Sequence, residues 1–389
     1  MKLNLLALIC IAVLCITLTL GLWPFHSPAN DVTWLGKRGG LRFGRNGTVI
    51  GSGIFQISSP RENSEASLEI WLQPNRVWDS TTLLAFYNPG NPFQFSLRQS
   101  QLDLLVRTET QDEQHHARTA RLYVRDVFRR KPRPVFITIT SGWQGAWIYI
   151  DGILAAAAPE FPLSGDDFTG LLVLGDSPGQ SNSWSGQLLG LAIYHRQLTA
   201  AQVFHNCATW KQAGRPEIVE NERNTALYLF DEQAGDVVRD KARSGVDLYI
   251  PKSYEVMDKY FLEPFWTEFS MSWSYWGAVL KNIVGLIPFG FCFYAYLVAV
   301  LPIKRAALVT VVLGTGVSLT IEILQAFLPT RESGTTDLVT NTLGAWVGVA
   351  SYKLFIPILA RSLRARDVAQ QLYIPLDQYL FKRVKTGSH

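Results

Sequence analysis

The chain has 389 residues, of which 48% are hydrophobic and 17% are charged, and its net charge is +4. This length allows two or three domains, and so small a positive charge gives no indication of a nucleic-acid partner. The 4 cysteines show neither a disulfide framework nor a CxxC metal spacing. We therefore predict no metal and no cofactor, and we assign no calcium site to Asp166, Asp167 and Asp176, whose carboxylates would suit that ion.

The first predicted element is a membrane anchor at residues 1–23. Leu3–Leu22 contains no charged residue and follows Lys2, and this length suffices to cross a bilayer. Trp23 stands where an interfacial aromatic residue anchors a span. A cleavable signal peptide is the alternative, but the apolar stretch exceeds the roughly 7–15 residues of a typical signal core. We favour an uncleaved anchor.

Residues 30–252 have the pattern of an all-β domain. Short runs in which apolar and polar residues alternate are separated by Gly, Pro, Asn, Asp and Ser, which indicates a sandwich or jelly roll. Asp151-Gly152 is a dipeptide that closes tight hairpins. We expect Cys207 to be a small buried apolar residue. The predicted strands are 67–72, 135–140, 146–150, 170–175, 190–194 and 226–230.

A basic segment lies between residues 118 and 133. Its simplest interpretation is a solvated edge before the next strand, and we favour it. The alternative is a surface that attracts anionic headgroups or an anionic wall polymer by its summed charge. The residues of that candidate patch are Arg125, Arg129, Arg130 and Lys131.

The rest of the chain has the pattern of a membrane domain. Residues 253–275 are dense in aromatic residues and predict an interfacial linker, and three apolar spans follow within 276–360, at about 277–300, 306–328 and 338–359. Lys304-Arg305 and the basic tail at 361–389 predict the cytoplasmic side by the positive-inside rule. Four spans then place both termini in the cytoplasm and the all-β domain outside the cytoplasmic membrane.

Polar residues recur at helical spacing within these spans and predict a site. A charged group facing lipid costs roughly 2.5–3.5 kcal/mol, so such residues face protein, water or a ligand. All of them come out near the external face. The alternative is that they only hold the helices together, helped by the GxxxG spacing of Gly344 and Gly348. The predicted stripes are Ser318, Glu322, Gln325 and Pro329; Asp337, Asn341, Gly344 and Gly348; and Asn282, Gly285 and Phe289, with Arg331 between the last two spans.

These membrane residues resemble the VanZ-like family of bacterial membrane proteins over roughly residues 276–356. The resemblance rests on Asn282, Pro288-Phe289-Gly290, Glu322, Gln325, Arg331, Asp337-Leu338, Asn341-Thr342-Leu343-Gly344-Ala345 and Gly348, which occur in the family's order. It implies association with the bacterial cell envelope and, for the founding member, resistance to the glycopeptide teicoplanin. It implies no established reaction.

The all-β domain resembles the laminin-G-like, concanavalin A-like sandwich. The resemblance rests on residues 66–74, on the run that ends at Asp151-Gly152, and on 185–203. It implies sugar or protein binding. The Glu-x-Asp-x-Glu spacing of the related glucanases is absent, so we predict a binder or spacer, with Trp143 and Trp184 as possible stacking platforms. Residues 226–240 resemble an opening strand, and either complete the sandwich or remain from a second copy.

We therefore predict a multidomain α and β protein with an external jelly-roll sandwich and a helical membrane domain of four spans. Its predicted function is recognition of a lipid-linked or cell-wall glycan near the outer leaflet, with a bilayer and a glycan as partners. The membrane site would comprise Asn282, Ser318, Glu322, Gln325, Arg331, Asp337 and Asn341. Pro288 is expected to kink its span, and Gly290, Gly344 and Gly348 to pack helices.

Two other functions remain open. The first is an intramembrane hydrolase or transferase that uses Glu322 and Asp337 for acid-base chemistry and Arg331 to stabilise an oxyanion. No nucleophile beyond ordinary Ser and Thr accompanies them, so we favour a protein that is not an enzyme. The second is a sandwich that binds sugar or protein on a purely structural membrane anchor. The oligomeric state is left open.

Overall fold

A computed structural model describes residues 2–36, 39–56, 65–89, 91–111, 117–129, 132–161, 163, 165–178, 183–215, 224–242, 244–259, 261–265 and 273–372. Arg130, Lys131, most of the aromatic run before residue 273 and the tail after 372 lie outside these residues. The chain divides into a helical unit (1–23, 261–325 and 333–389) and a sandwich unit (24–260 and 326–332).

The sandwich unit is built from antiparallel strands, as predicted. In the described part of the chain they form two sheets, which we call the first sheet (β1-β2-β13-β4-β9-β10-β11, with β14 also paired to β13) and the second sheet (β15-β16-β3-β12-β5-β6-β7-β8). The strands are β1 Val32–Trp34, β2 Leu41–Phe43, β3 Val49–Phe55, β4 Ala66–Pro74, β5 Ser80–Asn88, β6 Asn91–Ser100, β7 Asp103–Gln111, β8 Ala117–Val124, β9 Val135–Gly142, β10 Gly145–Ile150, β11 Ile153–Ala158, β12 Gly170–Leu174, β13 Gly186–Tyr194, β14 Asn224–Tyr228, β15 Val237–Val238 and β16 Leu248–Tyr249.

The core lies between the two sheets and explains the alternation in the sequence. In β4, Leu68, Ile70 and Leu72 point inward and are at most 1% exposed, because successive strand residues face opposite sides. Each predicted strand coincides with one of the observed ones. The segment at 226–230 forms β14 and pairs with β13, so it completes the first sheet rather than starting a second copy.

A tight turn joins β10 to β11 as predicted. Asp151 and Gly152 have φ of 54° and 83°, the left-handed conformation that both central residues of a type I′ turn require. The turn matches the right-handed twist of the flanking strands and sets the register of the hairpin.

One helix, α2 (Ala200–Ala213), packs on the outer face of the first sheet. Thr199 and Gln202 form a capping box at its start, and Gly214 with φ 68° ends it in the left-handed conformation. Val203, Cys207 and Trp210 face the sheet and are at most 4% exposed. Cys207 is thus a buried apolar residue, as predicted.

The helical unit consists of α1 (Lys2–Leu22), α3 (Trp273–Val298), α4 (Ile303–Gln325) and α5 (Thr335–Leu372). Among the described residues, three helices are long and apolar enough to cross a membrane, at Leu3–Leu22, Tyr275–Val298 and Arg305–Gln325. Helix α5 continues past the predicted end of the last span at 359 and through Pro357, so the start of the predicted basic tail is helical.

One local expectation for the helices differs from the structure. Helix α3 runs through Pro288 without interruption, and the kink expected at Pro288 stays a prediction. Helix α4 ends at Gln325, so Pro329 does not lie on the helical stripe with Ser318 and Glu322. Pro329 lacks a backbone donor, and it follows a turn that already ends the helix.

Glycines bring helices α3 and α5 into backbone contact. A Cβ added at Gly344 would overlap the carbonyl oxygen of Ile283, and one at Gly348 would overlap that of Ile287. From the other helix, a Cβ at Gly290 would overlap the carbonyl oxygen of Ala345. Small residues allow this close approach, which gives dispersion contacts along the helix pair.

Candidate functional site

Polar side chains of the helical unit pair across the helices. Asn282 on α3 donates from Nδ2 to Oδ1 of Asp337 on α5 at 2.6 Å. Asn341 on α5 donates from Nδ2 to Oγ of Ser318 on α4 at 3.0 Å, and both side chains are buried. The structure therefore brings four of the predicted site residues together as two pairs that link three helices.

Glu322 occupies the interior of the helical unit at 1% exposure. Its Oε2 accepts a hydrogen bond of 2.9 Å from the backbone N–H of Gly334, the residue just before α5. A helix N-terminus carries unsatisfied N–H groups and a partial positive charge, so a carboxylate is favourable there. Glu322 thus caps a neighbouring helix.

Gln325 connects α4 to the first helix of the chain. Its Nε2 donates to the carbonyl oxygen of Gly21 at 2.8 Å, and a Cβ at Gly21 would lie 3.1 Å from the side chain of Ile321. Residues 1–22 therefore pack as part of the helical unit.

Arg331 differs from the other predicted site residues. It lies in the segment 326–332, which groups with the sandwich unit. Within that unit, the half-buried ammonium of Lys259 donates to the carbonyl oxygens of Leu328 and Arg331. Burial lowers the pKa of Lys259 to about 8, and nearby Glu332 opposes this shift. Lys259 therefore holds the segment 326–332 through the backbone carbonyl groups of that segment.

A second candidate site, which the sequence analysis missed, lies on the outer face of the first sheet. Gln187 on β13 is directly opposite Arg42 on β2 and Gln73 on β4. Because alternate strand residues share a face, the three side chains form one row across three strands. All three carry planar groups with several hydrogen-bonding atoms.

This row forms part of a polar groove of about 340 Å³, which we call the glycan groove. Asp31, Asn75 and Ser185 also line it. Oδ2 of Asp31 accepts from the backbone N–H of Arg45 at 3.2 Å, and Gly44 leaves room for that carboxylate because any Cβ there would overlap it. The groove thus presents carboxylate, carboxamide, guanidinium and hydroxyl groups, which suit hydroxyl-rich ligands.

The same face of β4 also carries a buried carboxylate beneath α2. Glu69 is 0% exposed and accepts from the Tyr194 hydroxyl at 2.6 Å, from Asn206 Nδ2 at 3.0 Å and from Trp210 Nε1 at 3.1 Å. Burial raises the pKa of Glu69, and these three donors only partly offset that effect. The group joins α2 to the sheet.

The exposed fractions of individual side chains test several expectations for the sandwich. Trp184 is 2% exposed and donates to Gln99 Oε1 at 3.0 Å, so it packs in the core, which is the commoner role of a tryptophan, whereas Trp143 is 73% exposed. Asp176 is buried and accepts from the Tyr254 hydroxyl. Within the described ranges, no cluster of three or more His, Cys, Asp or Glu side chains is arranged to hold a metal ion.

The predicted basic patch is described only in part. Arg125 and Arg129 are exposed at the end of the second sheet, after β8, while Arg130 and Lys131 lie outside the described residues. Arg121, from the same basic segment, belongs to β8 itself.

Comparisons with known proteins agree with the two resemblances. The family model VanZ/LLP1 matches residues 230–356, and that of the concanavalin A-like lectin/glucanases superfamily matches residues 46–204. No curated protein sequence matches the chain significantly.

Solved structures similar to part of this chain include the binding domains of two toxins and a pentraxin. The binding domain of paraclostridial mosquitocidal protein 1 is 14% identical over 47% of each chain, with a TM-score of 0.34. The receptor-binding domain of botulinum neurotoxin C/D mosaic serotype is 15% identical over 48% of this chain and 46% of that one (TM-score 0.33). The pentraxin of Limulus polyphemus is 12% identical over 58% and 96% (TM-score 0.33). The chain spans about half the length of the first two.

The VanZ/LLP1 match begins at Phe230, upstream of the first helix of the described C-terminal region, and ends within α5. The sandwich match covers β3 to β13 nearly in full. This chain joins a concanavalin A-like sandwich to a VanZ-like helical region.

Proposed function

We propose that this protein is a membrane-anchored component of the bacterial cell envelope that binds a glycan through its sandwich. Four spans, formed by α1, α3, α4 and the first part of α5, would hold it in the cytoplasmic membrane. Lys304-Arg305 in the first turn of α4 favours a cytoplasmic connection between α3 and α4, and therefore an external sandwich with both termini inside. The lipid bilayer is then one partner and the glycan the other.

The observation that carries this proposal is the row of Arg42, Gln187 and Gln73. Sugar hydroxyls both donate and accept hydrogen bonds, so they are well matched by carboxamides, which do the same in one plane. The two carboxamides of Gln73 and Gln187, with the guanidinium donors of Arg42, lie at adjacent register positions and would contact neighbouring hydroxyls of one sugar unit. The volume of about 340 Å³ is at the lower end of the range for small-ligand sites, which is consistent with one or two sugar rings.

The first prediction concerns Gln187, which lies in the middle of the row. Gln187→Ala removes its hydrogen bonds to the ligand while leaving the strand intact, so glycan affinity should fall about tenfold. The measurement uses the full chain in nanodiscs against an array of bacterial wall glycan fragments.

Gln212→Ala provides the matched control, because Gln212 is an exposed residue of α2 that does not line the groove. It should bind the same fragments as the wild type. Equal binding by the Gln187 variant and the wild type would refute the glycan groove as the site.

Glycopeptide resistance is the physiological role that the VanZ-like region suggests, and we propose that the glycan groove contributes to it. Cells that express the wild type should tolerate more teicoplanin than cells with the Gln187→Ala variant at equal protein abundance. If resistance were unchanged in this variant, glycan binding in the groove would not contribute to teicoplanin resistance.

A second candidate function is a headgroup site at Glu322, favoured by the 1% exposure of a carboxylate among apolar helices. The alternative is that Glu322 only caps α5. Glutamine keeps an oxygen for the Gly334 N–H but removes the charge, whereas alanine removes both.

We therefore expect the free energy of unfolding of Glu322→Gln to lie within about 0.5 kcal/mol of the wild-type value. That of Glu322→Ala should be lower by about 1–2 kcal/mol, the usual contribution of a capping side chain. Lipid mass spectrometry on the same samples should show a lipid enriched with the wild type and lost from Glu322→Gln. Retention of that lipid by the glutamine variant would leave Glu322 with a structural role only.

A further inference from the structure

Three arginines lie on the outer face of the second sheet, one on each of the consecutive strands β6, β7 and β8. Arg107 on β7 is directly opposite Arg121 on β8. Arg98 on β6 is opposite Leu105, which places it diagonally next to Arg107 on the same face. Like charges at directly opposite positions destabilise a sheet, so this arrangement has a cost that an anion would remove.

The three guanidinium groups border a groove of about 180 Å³, which we call the arginine groove. Hydroxyl groups of Ser80, Ser100 and Tyr123 also line it. This volume is below the roughly 300 Å³ at which sites for drug-sized ligands begin, so it suits one small group rather than a whole sugar ring system.

The three guanidinium groups bring positive charge together around the groove. Arg107 forms an ion pair of 2.8 Å with Glu109, the residue two positions along the same strand. Arg98 and Arg121 add two further positive charges to the groove lining. Burial lowers the pKa of Arg98, and the nearby positive charges of Arg107 and Arg121 lower it further, which shows that the three groups interact.

We propose that the arginine groove binds a phosphate- or sulfate-type oxyanion. A guanidinium presents two parallel N–H donors that match two oxygens of such a group, and hydroxyls donate to the remaining oxygens. This site goes beyond the glycan groove, because the two grooves belong to different sheets of the sandwich. A ligand that carries both hydroxyls and phosphate groups would have one recognition site for each.

The test is calorimetric titration of the full chain, in phosphatidylcholine nanodiscs at fixed ionic strength, with inorganic phosphate. The wild type should bind, and Arg121→Gln should weaken binding about tenfold, since it removes one charge-assisted contact. Arg121→Gln should also keep or raise the melting temperature of the sandwich, because it relieves the repulsion with Arg107. Arg98→Gln provides a second variant, which should weaken binding to a similar degree.

Arg215→Gln is the matched control, since it removes the same charge from an exposed residue just after α2, outside the groove lining. This variant should bind phosphate with an affinity within twofold of the wild-type value. Sedimentation with phosphatidylglycerol vesicles then identifies the source. Vesicle binding that is lost in Arg121→Gln indicates a lipid headgroup, while phosphate binding without vesicle binding indicates a soluble or glycan-borne phosphate. Lack of phosphate binding by the wild type, or equal weakening by the Arg121 and Arg215 variants, would overturn the proposal.

Discussion

Replacing Glu69 with alanine is expected to destabilise the sandwich by about 3 kcal/mol or more, because each buried donor left without an acceptor costs about 1–3 kcal/mol. Three donors depend on this carboxylate: the Tyr194 hydroxyl, Asn206 Nδ2 and Trp210 Nε1. All of them lie between α2 and the first sheet, so α2 should detach first. Thermal unfolding followed by tryptophan fluorescence measures the loss.

Glu69→Gln is the matched variant for the charge. Its carboxamide oxygen can accept from Tyr194 and Trp210, and Asn206 can turn its own amide to offer an oxygen to the new NH₂ group. The variant should therefore fold as stably as the wild type at neutral pH, or more stably, since it no longer buries a carboxylate. A glutamine variant as unstable as the alanine variant would show that the negative charge itself is required.

The same residue predicts a pH dependence. Burial raises the pKa of Glu69 above its ordinary value of 4.5, so between that value and its raised pKa the folded state binds more protons than the unfolded state. The contribution of Glu69 to stability is therefore complete below pH 4.5 and is lost as the pH rises through its raised pKa. Over this range the wild type should lose stability relative to Glu69→Gln.

Replacing Gly344 with leucine is expected to separate α3 from α5 and to cost about 3 kcal/mol, the upper end of the usual range for overpacking. The added side chain would meet the backbone of Ile283, which cannot rotate away as a flexible side chain can. Since Asn282 and Asp337 bridge the same two helices, their hydrogen bond should be lost as well. Unfolding of the full chain in mixed micelles with increasing sodium dodecyl sulfate measures the change.

Gly285→Leu makes the same substitution on α3 at a position where an added Cβ has no atom within 4 Å. It should change stability by less than about 0.5 kcal/mol, because leucine also has the higher helix propensity. The melting of the sandwich should be the same in both variants. If Gly285→Leu were as harmful as Gly344→Leu, the effect would come from glycine content rather than from helix contact.

The paired polar residues of the helical unit bear on both interpretations of its sequence. Asn282 with Asp337 and Asn341 with Ser318 each join two helices by a hydrogen bond, which is what residues that hold helices together do. Glu322 adds a charge where a neutral acceptor would suffice for the Gly334 N–H. The comparison of Glu322→Gln with Glu322→Ala therefore separates the role of that charge from the role of the hydrogen-bond acceptor.

Much of the fold could be predicted from local patterns. Alternation in β4 and β13 predicts strands because the side-chain period of a strand is two residues, and long apolar stretches predict helices because their length matches a bilayer. The spacing of Ser318 and Glu322, and of Asp337 and Asn341, correctly places each pair on one face of its helix. Strand β7 was missed because Arg107 and Glu109, which face outward, obscure the inward Leu104 and Val106.

The grooves, by contrast, depend on which strands are neighbours. The sequence by itself determines that Arg42, Gln73 and Gln187 point to one side of their own strands, since alternation is a property of each strand alone. Only the tertiary structure brings β2, β13 and β4 together in one register, through hydrogen bonds between segments far apart in the chain. It likewise aligns Arg107 with Arg121 and assigns Arg331 to the sandwich unit rather than to the polar helices. Such pairings are non-local, because the energy that selects them comes from burying whole sheets and not from any one stretch of residues.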